Sequence, residues 1–131
     1  AYPPRGGVGL AILPRDRFGS LSMREANKNA QFVTATVDIP RQSTPRFFLN
    51  AEGLSDQAAL RIELLDAREQ PIEKFSGADA AIISENGFRT PIPFSNQWQP
   101  DDAPCSVRFR VIFDGASASD IALSALYVTF E

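Results

Sequence analysis

The chain has 131 residues with 13 Lys and Arg against 16 Asp and Glu, a net charge of −3, and so lacks the basic balance that non-specific nucleic-acid binding requires. A hydrophobic fraction of 44% suffices for one domain that folds without metal or disulfide, and no apolar run approaches the ~20 residues of a membrane-spanning helix. There is one cysteine and no histidine, which removes an intrachain disulfide, Ser-His-Asp and Cys-His nucleophile systems, and histidine-ligated metals.

In chain order, "AYPPRGG" has neither the basic start nor the apolar core of a signal peptide. The chain therefore reads as a mature product or a piece of a longer protein. "GVGLAIL" (7–13) is a short apolar run closed by Pro14, and "RFGSLSM" (17–23) alternates. "REANKNA" (24–30) reads as a turn. "QFVTATVDIP" (31–40) sets Phe32, Thr34, Thr36 and Asp38 on one face and Val33, Ala35, Val37 and Ile39 on the other, the period-two pattern of a strand. "RFFLNAEG" (46–53) follows a proline. "ALRIELLDA" (59–67) points Leu60, Ile62 and Leu64 one way and Arg61 and Glu63 the other. The turn "DAREQP" then predicts "PIEKF" as the return strand of a hairpin. "AAIIS" (80–84) is short, and the two prolines of "GFRTPIPF" (87–94) assign it to a sheet edge. "SVRFRVIF" (106–113) alternates aromatic and aliphatic residues with Arg108 and Arg110, and "IALSALYVTF" (121–130) is apolar enough to pair centrally. About nine short strands predict an all-β fold, a two-sheet antiparallel β-sandwich of jelly-roll type, with an up-and-down barrel as the alternative.

Few residues carry chemistry. Arg15, Asp16 and Arg17 form a dense charge cluster that suits either anion or sugar recognition by guanidinium forks or an ion-paired brace between strands. Asp101 and Asp102 lie in the proline-bounded loop "QPDDAP", where adjacent carboxylates rarely converge on one bond and a solvated turn is the default. Glu63 faces several arginines across the sheet, which points to cross-strand pairing. Asp66, Asp79, Asp114 and Asp120 fall in turns whose oxygens could hold a structural calcium, although no DxDxDG spacing supports one. No other cofactor is implied. Cys105, at a strand start, reads as a small hydrophobe.

The single tryptophan, Trp98, stands in "FSNQWQPDD" beside Asn96, Gln97 and Gln99. An exposed indole among amides and carboxylates is the composition of a sugar-binding surface: the ring stacks on a pyranose face and Asn96, Gln97, Gln99 and Asp101 take hydroxyls. The competing reading folds Trp98 back as a cap on the core. Most phenylalanines fall on alternating core positions and read as packing.

The order of motifs adds a resemblance. "GVGLAILPRDRFGSLS" (7–22) resembles the seam at which large bacterial secreted β-propellers run into a C-terminal β-sandwich, a G-x-x-R-D-R/G-F-x-S-L pattern. "FFLNAEG" (47–53), "LRIELLDAREQPIEKFSGADAAIISENGFRTPIPF" (60–94), "CSVRFRVIF" and "ALYVTF" are similar to later strands of that family, in the same order. The turn after Asp66 departs from it, with Arg68-Glu69-Gln70 in place of a glycine, and "DGASASDIALS" lengthens the approach to the last strand. The resemblance implies a non-catalytic accessory sandwich appended to a glycoside-hydrolase-like propeller, secreted or periplasmic, whose partners are carbohydrate or a neighbouring catalytic domain in the same parent chain. In that setting Arg15, Asp16 and Arg17 become a strand-junction brace, with Arg15 and Arg17 as second-rank sugar ligands on a concave sheet face. A small polysaccharide lyase or hydrolase built on Tyr127 and an arginine is the remaining alternative.

Overall fold

The structure, a computed structural model, describes residues 8–11, 30–99, 102 and 105–130. Arg15, Asp16, Arg17 and Asp101 lie outside the described residues, as does the 17–23 strand. Among the described residues there are nine strands and no α-helix: β1 (Val8–Ala11), β2 (Ala30–Val33), β3 (Val37–Ile39), β4 (Pro45–Glu52), β5 (Ala59–Asp66), β6 (Ala81–Ile83), β7 (Gly87–Pro91), β8 (Cys105–Asp114) and β9 (Ala122–Phe130).

All pairings are antiparallel. One sheet has the order β1-β9-β4-β7, and the other has β2-β8-β5-β6 with β3 also on β8. β2 and β3 share the edge of β8 and behave as one interrupted strand. Counted so, the sheets read 1-8-3-6 and 2-7-4-5. Strand pairs 1:8, 2:7, 3:6 and 4:5 thus fall alternately in one sheet and the other, which is the winding of a jelly roll. As expected, β9 is central and β7 lies at an edge.

The core lies between the sheets and follows from alternation. Leu60, Ile62 and Leu64 of β5 and Val107, Phe109, Val111 and Phe113 of β8 meet Leu49 and Ala51 of β4 and Leu123, Leu126 and Val128 of β9. Each large side chain so buried contributes roughly 1.5–3 kcal/mol.

Two expectations are corrected. Residues 31–40 are not one uniform strand. Val33 pairs Arg110 and Val37 pairs Val107, so four steps on this edge oppose three on β8 and one residue is extra. That slip changes the inward parity, so Phe32 packs against the core before the break and Val37 and Ile39 after it. Nor is "PIEKF" a return strand. Pro71 makes only an isolated bridge to Leu65, the Ile72 N–H is taken by the Leu64 carbonyl at 2.9 Å, and the chain coils into a 3-10 turn over Glu73–Phe75 that buries Phe75. A proline at the first rung leaves no N–H to extend the ladder. The second partner of β5, beside β8, is β6.

Candidate functional site

The two outer faces differ in chemistry. On the β5/β8 sheet, Glu63 and Arg110 stand directly opposite each other, as cross-strand pairing requires, with Arg110 Nη1 3.1 Å from Glu63 Oε1. The other carboxylate oxygen accepts the Gly77 N–H at 2.8 Å, so this buried acid is satisfied on both sides. Arg61 donates to the Gly77 carbonyl, and Arg108 donates to the carbonyls of Ala67 and Thr34. All three arginines are committed to bracing the sheet. Asp66 is likewise local: its Oδ1 accepts the N–H groups of Arg68 and Gln70, which fixes the turn. Among the described residues no group of three or more Asp, Glu or Cys is placed to hold a metal, so the calcium considered for Asp66, Asp79, Asp114 and Asp120 finds no such cluster.

The β4/β7/β9 sheet presents a different surface. Phe47 and Phe48 are consecutive, so one ring enters the core and the other points outward. Phe48 lies between Tyr127 of β9 and Pro91 of β7 in one cross-strand row. Phe48 thus stands outside the core packing expected of most phenylalanines. Between Leu49 and Ala51 the register of β7 slips by one residue, with Thr90 opposite Leu49 and Gly87 opposite Ala51. This bulge turns both Phe88 and Arg89 out of the sandwich, and Phe88 is 79% exposed. The Arg89 guanidinium sits over the Phe48 ring, 4.6 Å from its centroid.

Where the start of β4 meets the end of β7, the segment after Pro91 crosses the end of the sandwich and closes a cavity of about 420 Å³. Arg46, Phe48, Pro91, Asn96, Gln97 and Trp98 are among its lining residues. Three residues expected from sequence, Asn96, Gln97 and Trp98, therefore gather at one site. Gln97 is exposed, and Asn96 is half-buried and donates through Nδ2 to the Lys74 carbonyl at 2.8 Å. Gln99 is exposed and is not among the lining residues. Its backbone N–H donates to Asp102 Oδ2 at 2.8 Å.

Trp98 is not the exposed platform that the sequence suggests. It is 9% exposed and stacks on Phe75, centroids 5.7 Å apart at 18°. Phe75 meets Phe94 edge-on, Phe94 meets Phe47, and Phe47 meets Phe109, so aromatic contacts run from the rim to the middle of the core. The indole Nε1 is sealed from solvent and has no hydrogen-bond partner among the described residues. Trp98 forms the floor of the cavity, and its N–H does not face a ligand. This is the reading in which Trp98 folds back as a cap on the core; the sequence offered it beside the exposed platform and could not choose, because the packing partner Phe75 is distant in the chain.

The loop is held by Asp102. Its Oδ2 accepts the Lys74 ammonium at 3.0 Å as well as the Gln99 N–H. Burial pushes its pKa up, but the Gln99 N–H and the Lys74 charge more than offset this, and the net shift is downward. Lys74 also lies 5.7 Å from the Phe75 ring centroid. Cys105 is half-buried against the core, and burial with the nearby Asp102 charge raises its pKa, which keeps it a thiol and a poor nucleophile. Arg46, Phe48, Arg89 and Pro91 were not among the site residues expected from the sequence. The one local signal was the Phe47-Phe48 doublet, since two adjacent rings on a strand cannot both face inward.

In comparisons with family models, curated proteins and solved structures, nothing matches this chain.

Proposed function

We propose that this jelly roll is a non-catalytic accessory module that binds carbohydrate and works beside a catalytic domain in a longer secreted or periplasmic chain. The observation that carries the reading is the cavity at the β4/β7 end. An outward Phe48 and Pro91, the amides of Asn96 and Gln97, and the Arg46 guanidinium meet there over an aromatic floor. Apolar walls with a few convergent polar groups are the usual composition of a ligand pocket, and an aromatic ring beside amides matches a sugar's apolar face and hydroxyl rim. The absence of histidine and the protonated thiol support a binding role over a catalytic one.

The test is affinity electrophoresis of the isolated domain against a panel of polysaccharides. Retention by at least one polymer is expected. Gln97→Ala and Phe48→Ala should weaken it about tenfold while circular dichroism stays unchanged. Retention untouched by either variant, or none with any polymer, overturns the reading. Trp98→Ala is the wrong probe, because it removes a buried ring and costs roughly 3–5 kcal/mol of stability.

A second reading, docking on a neighbouring domain without a ligand, is favoured by Phe88 at 79% exposure and Ile82 at 59%. It predicts that Phe88→Ser weakens association with that domain and that no glycan is retained.

A further inference from the structure

We infer that the cavity is selective for acidic sugars, with Arg89 as the residue that receives a uronate carboxylate; this rests on the carbohydrate reading above. Three observations lead there. First, none of the described residues that line the cavity is acidic, although the chain as a whole carries −3. A carboxylate ligand therefore meets no repelling side chain among the described residues of its wall. Second, Arg89 adds a guanidinium 4.6 Å from the Phe48 ring centroid, and Phe48 is itself part of the wall. Third, Arg89 is exposed and donates no hydrogen bond to any described residue, whereas Arg61, Arg108 and Arg110 on the opposite sheet each serve a carbonyl or a carboxylate.

The stack has a mechanical meaning. A free arginine side chain loses rotamer entropy when it grips an anion. Seated on Phe48, the guanidinium plane is already restrained, so less is lost per bond formed. The edge of that plane offers a fork of N–H donors that matches the two oxygens of a carboxylate. The bulge in β7 makes this possible, because without the extra residue the alternation of the strand would not send Phe88 and Arg89 to the same side. Arg89 stands beside the cavity, on the Phe48 ring that forms part of its wall, while Asn96 and Gln97 line the cavity itself and serve the hydroxyls.

Polygalacturonate and the same polymer fully methyl-esterified differ only in the carboxylate, and they form the test pair. The wild-type domain should bind the acid form at least tenfold more tightly at low salt, and the ratio should shrink as sodium chloride is raised. Arg89→Gln should abolish the preference; Arg68→Gln, in an exposed turn of the opposite sheet, should not. Polyglutamate and dextran sulfate complete the panel, and neither should match polygalacturonate. Equal binding of the acid and the ester overturns acidic selectivity and leaves the carbohydrate reading standing. Binding of neither, with every other polymer also silent, removes both. Polyglutamate or dextran sulfate bound as well as polygalacturonate would show that charge alone is read, and selectivity surviving in Arg89→Gln would remove that residue from its role.

Discussion

Thr34 occupies the break between β2 and β3, and its side chain repairs the ladder there. Its N–H donates to the Phe109 carbonyl at 3.0 Å, its hydroxyl accepts the Phe109 N–H at 3.0 Å, and that hydroxyl donates onward to the Ala35 carbonyl at 2.8 Å. Phe109 is fully buried in the middle of β8, so its N–H has no water to turn to. Thr34→Val keeps the shape and deletes the acceptor. It should cost about 1–3 kcal/mol, the desolvation of one orphaned amide, and this is read as a lower urea midpoint with an unchanged m-value. A midpoint within error of wild type would show that the ladder closes without the hydroxyl. From sequence, Thr34 is one more β-branched residue in an alternating run, since its partner lies 75 residues away. For Trp98 the sequence offered both an exposed platform and a core cap, and only the partner Phe75 decides for the cap. Residue types were legible; the partners that decide their roles were not.

At the scale of elements, alternation found what depends on one strand and missed what depends on two. The segments read at 59–67, 106–113 and 121–130 appear as β5, β8 and β9 within a residue or so, because alternate burial runs through β8 and through parts of β5 and β9. The bulges in β4–β7 pairing and at the β2–β3 break come from register, which one strand does not encode. Hence Asn96, Gln97 and Trp98 could be singled out together from one loop, whereas Arg89 and Phe48 could not be joined before β4 and β7 were paired. The loop itself hangs on Asp102. A carboxyl whose folded pKa lies below its ordinary value of 3.8 contributes stability that is fully present above that value and is lost as pH falls through the lowered folded value. With Lys74 at 41% and Asp102 at 28% side-chain exposure, solvent screening keeps this contribution small, so the loop should loosen in acid before the sandwich unfolds. Trp98, the single tryptophan, reports it directly. Its emission should be constant from neutral pH to about 4 and shift to the red below that while far-ultraviolet dichroism holds. Asp102→Asn should show the red-shifted emission already at neutral pH. An acid transition in which fluorescence and dichroism move together would show that Asp102 does not clamp the loop separately.

The fold as a whole is closed by residues far apart in the chain. Among the described residues β1 pairs only with β9, from Val8 opposite Thr129 to Ala11 opposite Leu126, and it covers the side of β9 that β4 does not. Alternation predicts that a sandwich exists but not that its first and last strands are neighbours, because pairing order is a property of the winding. A jelly roll wound from non-local pairs carries a cost that a helical bundle avoids: most of the chain must be placed before its long-range contacts form. Removing β1 therefore tests the winding. A variant lacking residues 1–11 keeps every other strand pair among the described residues but converts β9 into an edge. Leu126, Val128 and Phe130 lie along it, and its backbone N–H and C=O groups lose their partners. Loss of the four-residue ladder should remove about 2–4 kcal/mol and lower Tm by roughly 10 °C. The bared strand should also pair with its copy in another molecule. Light scattering coupled to size exclusion should show a concentration-dependent dimer or larger species that the full chain does not form. A truncated chain that stays monomeric with the full-length Tm would mean that β9 needs no cover on that side, and that the eight-strand winding is not what holds the two sheets together.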